Sequence, residues 1–272
     1  MSKHQAITKK VTTLRLKEMK AQSERIAMLT AYDYTMARLV DASGVDMILV
    51  GDSAANVMAG HSTTLPITLD QMIYHASSVV RGVQRAFVVV DMPFGSYQIS
   101  RETALASAIR IMKESGADAV KIEGGSAVYD AIQGIIEAGI PVVGHLGLTP
   151  QSVHQLGGFG LQAKGEAEAE RLLDEAKRLD SLGCCALVLE KIPARLAERV
   201  ARSVSTPVIG IGAGAEVDGQ VLVLQDMLGM DDSFSPKFLR RFGRVGEAIS
   251  QAVEAYVEAV KTSEFPNASE AY

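Results

Sequence analysis

The feature that most constrains this chain is a repeated beat. A short β-branched or apolar run gives way to a Gly or polar break and then to a longer stretch with helical spacing, about every 25 to 45 residues. The apolar runs are Ile26 to Thr30, Asp46 to Val50, Phe87 to Val90, Ala119 to Ile122, Pro141 to Gly144, Ala186 to Leu189, Val208 to Ile211 and Gln220 to Leu224. The helical stretches between them are Tyr34 to Ser43, Leu69 to Arg81, Arg101 to Ser115, Ala127 to Ala138, Gly165 to Leu182 and Ala194 to Ser203. Gly44, Gly116, Gly139 and Gly183 stand where such helices stop, at the position that takes left-handed geometry cheaply.

Eight such runs in 272 residues predict an α/β protein built as a (β/α)8 TIM barrel, a fold that typically takes roughly 250 residues. The chain reads as a single domain over residues 1–272, with a solvated N-terminal basic arm (Lys3, Lys9, Lys10, Arg15, Lys17, Lys20) and short helix leading into the first strand, and a C-terminal helical block from Pro236 to Thr262. The apolar stripe of that block, Phe238, Leu239, Phe242, Val245, Ile249, Val253, Val257 and Val260, reads as a packing face against the barrel or a sister subunit. The seventh connection, Ala213 to Gly219, is too short for a full helix. A doubly wound open sheet also alternates strands and helices, but the length and the eight beats favour the barrel. Gly210-Ile211-Gly212-Ala213-Gly214 is not a dinucleotide loop, because it comes late, lacks the further Gly and precedes no long helix.

A net charge of −5 with 22% charged residues offers no basic surplus for nucleic acid or anionic lipid. No apolar stretch approaches the roughly 20 residues that span a bilayer. Cys184 and Cys185 are adjacent, poorly placed for a disulfide and too few for a four-cysteine zinc site, so they read as buried small residues in a reducing compartment. No apolar signal core follows the basic arm. A cytoplasmic enzyme acting on small molecules is expected. Gly-x-Ser-x-Gly, His-Glu-x-x-His and Walker patterns are absent from the sequence, which demotes hydrolase, zinc-protease and nucleotide-triphosphatase readings.

In a barrel the C-terminal strand ends converge on one mouth. The second run ends in Gly51-Asp52-Ser53, the third in Asp91-Met92-Pro93, the fourth in Lys121-Ile122-Glu123 and the sixth in Glu190-Lys191. Any one of these acids could be a helix cap or turn residue. Four at one mouth would repel one another without protons or a cation, and hard carboxylate oxygens suit Mg²⁺. Lys121 and Glu123, two apart in a strand, share a side, and the lysine supplies positive charge for an anionic ligand. The fifth run adds His145, as much a structural donor as a substrate contact by its residue type alone. His61 lies in a long loop after the second run; His4, His75 and His154 show no ligand spacing.

The segments Thr30-Ala31-Tyr32-Asp33-Tyr34, Val50-Gly51-Asp52-Ser53, Asp91-Met92-Pro93-Phe94, Val120-Lys121-Ile122-Glu123-Gly124-Gly125, Gly144-His145-Leu146-Gly147-Leu148-Thr149-Pro150-Gln151 and Ile209-Gly210-Ile211-Gly212-Ala213-Gly214 closely resemble the ketopantoate hydroxymethyltransferase family, in the same order. The likeness runs from about Thr12 to Phe242. It implies a barrel of the phosphoenolpyruvate mutase and isocitrate lyase type. It also implies transfer of a hydroxymethyl group from 5,10-methylenetetrahydrofolate to 3-methyl-2-oxobutanoate through a Mg-stabilised enolate, giving ketopantoate on the route to pantothenate and coenzyme A. By the resemblance Asp52 and Asp91 are metal ligands, with Glu123 completing the site directly or through water. Ser53 contacts the substrate carboxylate, Lys121 binds substrate, Glu190 accepts the proton, and the assembly is a homodecamer; Asp52, Asp91 and, from its place at the mouth, His145 are counted as substrate-binding positions as well.

One place departs from the family pattern. After Gly51-Asp52-Ser53 the family commonly continues Leu-Gly-Met, whereas Ala54-Ala55-Asn56 follows here, which bears on loop packing and ligand affinity. Two other functions remain open at this stage. A lyase on the same barrel would carry a reactive cysteine in a Lys-Lys-Cys-Gly-His-type loop, which this sequence lacks. A noncatalytic ring scaffold would have no need of Asp52, Asp91, Lys121, Glu123 and Glu190 together.

Overall fold

The structure, a computed structural model, describes residues 9–231 and 234–272. The chain divides into two compact units, Met1–Leu222 and Val223–Tyr272. In the first, eight parallel strands close into a barrel in sequence order: β1 Ile26–Thr30, β2 Met47–Val50, β3 Phe87–Asp91, β4 Ala119–Glu123, β5 Val142–Gly147, β6 Ala186–Glu190, β7 Val208–Ile211 and β8 Gly219–Leu222. The helices of this unit are α1 Thr13–Ala21, α2 Tyr34–Ala42, α3 Ala54–Val57, α4 Leu69–Gly82, α5 Arg101–Ser115, α6 Tyr129–Glu137, α7 Val153–Leu156, α8 Glu166–Leu182 and α9 Ala194–Ser203.

Local chemistry sets these limits. Thr68 and Gln71 form a reciprocal capping box at the start of α4, while Asp33 and Ser100 accept from the backbone of Met36 and Thr103 at the starts of α2 and α5. Gly116 and Gly183 end α5 and α8 in left-handed geometry. β2, β3 and β4 are buried along their whole length, as parallel strands covered on both faces must be. The (β/α)8 expectation therefore holds, and all eight apolar runs are strands. β3, β4, β5 and β6 run on past the predicted ends to include Asp91, Glu123, Gly147 and Glu190. Polar residues joined the ladder because the register pairs Asp91 with Lys121, Glu123 with His145 and Gly147 with Glu190.

The basic arm is less solvated than expected. Leu16 and Met19 of α1 are fully buried and share a core cluster with Ile26, Met47, Phe87, Ala119, Val143 and Ile209 near the strand starts. Lys10 Nζ donates to Ala86 O at 2.7 Å and pairs with Asp118 Oδ2 at 2.6 Å. Lys20 Nζ reaches Asp218 Oδ2 at 2.8 Å and the carbonyls of Ala201 and Thr206. The helix closes the N-terminal end of the barrel, leaving the other end for chemistry. Lys3 and His4 lie outside the described residues.

In the second unit the helical block begins later than predicted. Helix α10 covers Leu224–Met227 and α11 covers Val245–Lys261, so Phe238, Leu239 and Phe242 are not on the helix. The reason is backbone pairing: Phe242 donates its amide to the Met227 carbonyl, which commits the stretch before α11 to a non-helical path, and the first amides of α11, at Val245 and Gly246, go to the carbonyls of Leu228 and Gly229. Helix α11 has no buried residue, and Ile249, Val253 and Val260 are exposed.

Candidate active site

The strand ends bring Asp52, Asp91, Lys121, Glu123 and His145 together as a buried polar cluster at the C-terminal mouth. Asp52 follows β2 and donates its amide to Asp91 Oδ2 at 2.9 Å, which places the two carboxylates side by side. Gly51 leaves room for the serine hydroxyl, since a Cβ there would stand 2.7 Å from Ser53 Oγ. Lys121 Nζ lies 3.3 Å from Asp91 Oδ1, 3.4 Å from Glu123 Oε1 and 3.0 Å from His145 Nδ1. His145 Nε2 faces Glu190 Oε2 at 3.5 Å, and Glu190 is the more open of the two, at 16% side-chain exposure. Ser53 shares a 2.8 Å hydrogen bond with the hydroxyl of buried Tyr32. Every residue singled out from the sequence for this site thus lies at the mouth, whereas His61 is exposed and His75 Nδ1 bonds the Tyr32 carbonyl.

Burial and crowding govern the charges. Removal from water, then repulsion from Asp91 and Glu123, pushes Asp52 well above the ordinary carboxylate range, with Lys121 and Gln151 opposing. Asp91 is also raised, chiefly by burial, against the pull of Lys121 and the Asp52 amide. Glu123 goes the other way. Burial would raise it, but the Lys121 ammonium and contacts with His145 and the Gln151 amide hold it below its usual value. Lys121 stays protonated, because Asp91, Glu123 and Asp52 outweigh the burial that would lower it. Burial and Lys121 depress His145, yet the flanking carboxylates of Glu123 and Glu190 raise it on balance, so this ring can take up a proton between two acids.

Three buried carboxylates against one ammonium leave a negative excess that a proton or a cation must meet. Asp91 Oδ1 accepts no hydrogen bond of good geometry. The three expected metal ligands are not gathered into one cage, and among the described residues no three His, Cys, Asp or Glu side chains form a metal-holding group. The cause is visible: Glu123 Oε2 accepts the Gln151 amide at 2.9 Å while its Oε1 faces Lys121 and His145. Asp52 and Asp91 remain the oxygen pair with coordination to offer.

Three residues of the site escaped the sequence reading. Gln151, 5% exposed in the turn after β5, donates from Nε2 to Asp52 Oδ2 at 2.8 Å and to Met92 O at 3.0 Å. Its Oε1 accepts from the Tyr97 hydroxyl at 2.7 Å, and Tyr97 OH also receives the Glu123 amide. Tyr32 positions Ser53. The quoted motifs contain Gln151 and Tyr32, but neither residue type declares itself in one dimension. Tyr97 gave no signal. The Ala54-Ala55-Asn56 departure is the short helix α3, in which both alanines are fully buried and Asn56 Nδ2 donates to His61 O at 2.8 Å. Cys184 and Cys185 precede β6, away from the strand ends, and burial pushes both thiols up to about 12.

A profile of the family described as ketopantoate hydroxymethyltransferase matches residues 10–268. The chain belongs to the ketopantoate hydroxymethyltransferase family. It is 64% identical over 97% of both chains to the 3-methyl-2-oxobutanoate hydroxymethyltransferase of Flavobacterium johnsoniae, and 63% identical over 97% of both to that of Bacteroides thetaiotaomicron. Among solved structures, phosphoenolpyruvate phosphomutase from Streptomyces platensis superposes with a TM-score of 0.64 at 15% identity, covering 93% of this chain and 90% of that one. A 2,3-dimethylmalate lyase of the phosphoenolpyruvate mutase/isocitrate lyase superfamily gives 0.59 at 16%, covering 92% of this chain and 87% of that one. At such identities these two likenesses speak for the barrel architecture alone.

Proposed function

We propose that this ketopantoate hydroxymethyltransferase family member transfers a hydroxymethyl group from 5,10-methylenetetrahydrofolate to 3-methyl-2-oxobutanoate, giving ketopantoate and tetrahydrofolate. The observation that carries the reading is the mouth itself: Asp52, Asp91, Lys121 and Glu123 buried as one cluster, with Glu190 half-open 3.5 Å from His145. Relatives named for this activity are more than 60% identical along almost the whole chain.

The negative excess, the hard oxygen donors and Asp91 Oδ1, which accepts no hydrogen bond and faces the Lys121 ammonium at 3.3 Å, fit a divalent cation of the Mg²⁺ kind, held by Asp52 and Asp91 with Glu123 acting through water. When bound, the cation supplies Lewis acidity toward a 2-oxo acid. Ser53, steadied by Tyr32, holds the substrate carboxylate, and Lys121 places its ammonium where charge develops as an enolate forms. Glu190 takes the C3 proton, and His145 beside it offers a second station for that proton. One of the two folate C–N bonds at the methylene carbon breaks as C3 bonds to that carbon; water then displaces the second folate nitrogen and supplies the hydroxyl oxygen, and the proton taken from C3 and one from water end on the two nitrogens of tetrahydrofolate. A place in pantothenate and coenzyme A synthesis, a homodecameric assembly and a cytoplasmic location belong to the same reading, supported by family membership. Among the described residues no helix is long and apolar enough to cross a membrane.

The test is proton exchange at C3 of 3-methyl-2-oxobutanoate in D2O, followed by NMR with and without Mg²⁺ and then with the folate donor. Metal-dependent exchange and folate-dependent ketopantoate are expected. Glu190→Gln should keep 2-oxo acid binding and lose exchange by a factor of roughly 10²–10⁴; loss of binding instead would make Glu190 a ligand. Exchange without product would mean a different electrophile, and neither signal would mean a scaffold.

A further inference from the structure

The loop after β5 starts inside the site and returns to it. It leaves at Gln151, passes through α7, and comes back over residues 157–163. There Gln162 donates its amide to Lys191 O at 2.8 Å, and Lys191 Nζ bonds the carbonyl of Phe159. Lys191 is the residue after Glu190 and has φ 44, in the left-handed region that a side chain with a Cβ enters at a cost. Such geometry persists where the surroundings over-determine it. The two bonds to the loop and a third from Lys191 N to Ile211 O at 2.9 Å do so here.

The loop has its own signature. Gly157 and Gly158 have φ +69 and +122, and a Cβ at either would meet no atom within 4 Å, so these glycines serve the path of the chain and not its packing. The path presents Leu156, Phe159 and Leu161 to solvent at 37%, 50% and 43% exposure. The inner cluster is charged and suits a small 2-oxo acid. The one-carbon donor is a large molecule with a flat fused heterocycle and a benzoyl ring, of which the methylene carbon alone must reach C3 beside Glu190. Its rings therefore have to rest on the rim outside that residue, where an aromatic side chain is the matching surface.

We infer that Lys191 is a positioning residue that fastens the 157–163 loop beside Glu190, so that Phe159 and Leu161 form the wall against which the rings of the one-carbon donor lie. The inference rests on the one-carbon transfer proposed above. It separates the two substrates: the donor depends on the loop, whereas the 2-oxo acid and its proton depend on the buried cluster.

The experiment compares wild type with Lys191→Met, Lys191→Arg and Phe159→Ala. Tetrahydrofolate affinity is measured by calorimetry with 3-methyl-2-oxobutanoate and Mg²⁺ present, the donor KM by turnover, and C3 exchange by NMR without donor. Lys191→Met and Phe159→Ala should each weaken tetrahydrofolate and raise the donor KM by roughly tenfold while C3 exchange stays within about twofold, which also reports an intact fold. Lys191→Arg, which keeps a donor for the Phe159 carbonyl, should recover most of the affinity. Unchanged affinity and KM in both Lys191→Met and Phe159→Ala overturn the inference. So does a loss of exchange with affinity intact, which would put Lys191 on Glu190 instead. A wild type that exchanges C3 protons but binds no tetrahydrofolate overturns the one-carbon reading itself, and the two failures are told apart by that control.

Discussion

The side-chain amide of Gln151 donates to Asp52 Oδ2 at 2.8 Å across a separation of 99 residues. The same side chain accepts from Tyr97, and its backbone amide binds Glu123, so one residue ties together the loops after β2 and β3 and the end of β4. Gln151→Leu would leave buried partners without their bonds and release the Asp52 carboxylate. Stability should fall by about 1.5–3 kcal/mol, read by urea unfolding, and Mg²⁺-dependent C3 exchange should fall roughly 10- to 100-fold. An unchanged exchange rate would show that Asp52 is oriented by something else.

Gly147 bears on the other side of the mouth. It has φ +92, and a Cβ there would stand 2.3 Å from Glu190 O and 2.7 Å from the Ile192 side chain. Gly147→Ala must strain its own backbone and push the end of β6. The expected cost is about 1–3 kcal/mol in stability. Displacement of Glu190 should also slow C3 exchange by roughly 100-fold while 2-oxo acid affinity, measured by calorimetry, changes little.

Asp52 exchanges stability for function. Burial and the neighbouring carboxylates make its ionised form costly, so Asp52→Asn, which keeps an oxygen for Gln151, should leave the metal-free Tm unchanged or raise it by about 2 °C. The Tm rise on adding Mg²⁺ should disappear in the same variant. A variant that still responds to the metal would show that Asp52 is not a ligand.

Asp180 supplies a pH dependence remote from the mouth. Burial alone would raise it, but hydrogen bonds from the hydroxyls and amides of Thr206 and Ser205 lower it below the ordinary aspartate value. Its folded pKa is thus below its unfolded one, so its contribution is present above the unfolded value, about 3.9, and is lost as pH falls through the folded value. The Tm gap between wild type and Asp180→Asn should be widest near neutral pH and close progressively below about pH 4. A gap of constant size would remove the charge of Asp180 from the account.

The barrel and its charged mouth were legible because both follow from local pattern. Short apolar runs with acids at their ends need no knowledge of distant residues: Asp52, Asp91, Glu123 and Glu190 each come within two residues after a run, and Lys121 lies two before Glu123. Gln151 and Tyr97 were not legible, since their roles exist only once separate loops meet. Glu123 shows the same limit in reverse: its position could be read, but its commitment to Lys121 and the Gln151 amide depends on tertiary packing. The apolar spacing from Phe238 to Phe242 resembled a helix because periodicity does not reveal that Phe242 gives its amide to Met227. The basic arm looked solvated because nothing near Lys10 or Lys20 in sequence announces Asp118 or Asp218.

The ion pair between Lys20 and Asp218, with the pairing of β1 on β8, also sets a schedule for synthesis. The first strand finds its second neighbour 193 residues later, where Ile26 meets Gly219, and the lysine before it finds its carboxylate 198 residues later. Until that stretch has left the ribosome, β1 has an open edge and the helix beneath it lacks that charge partner. Contacts of such long sequence separation form late. A nascent chain halted before Asp218 therefore carries an exposed strand edge, and closure of the barrel waits for the last strand.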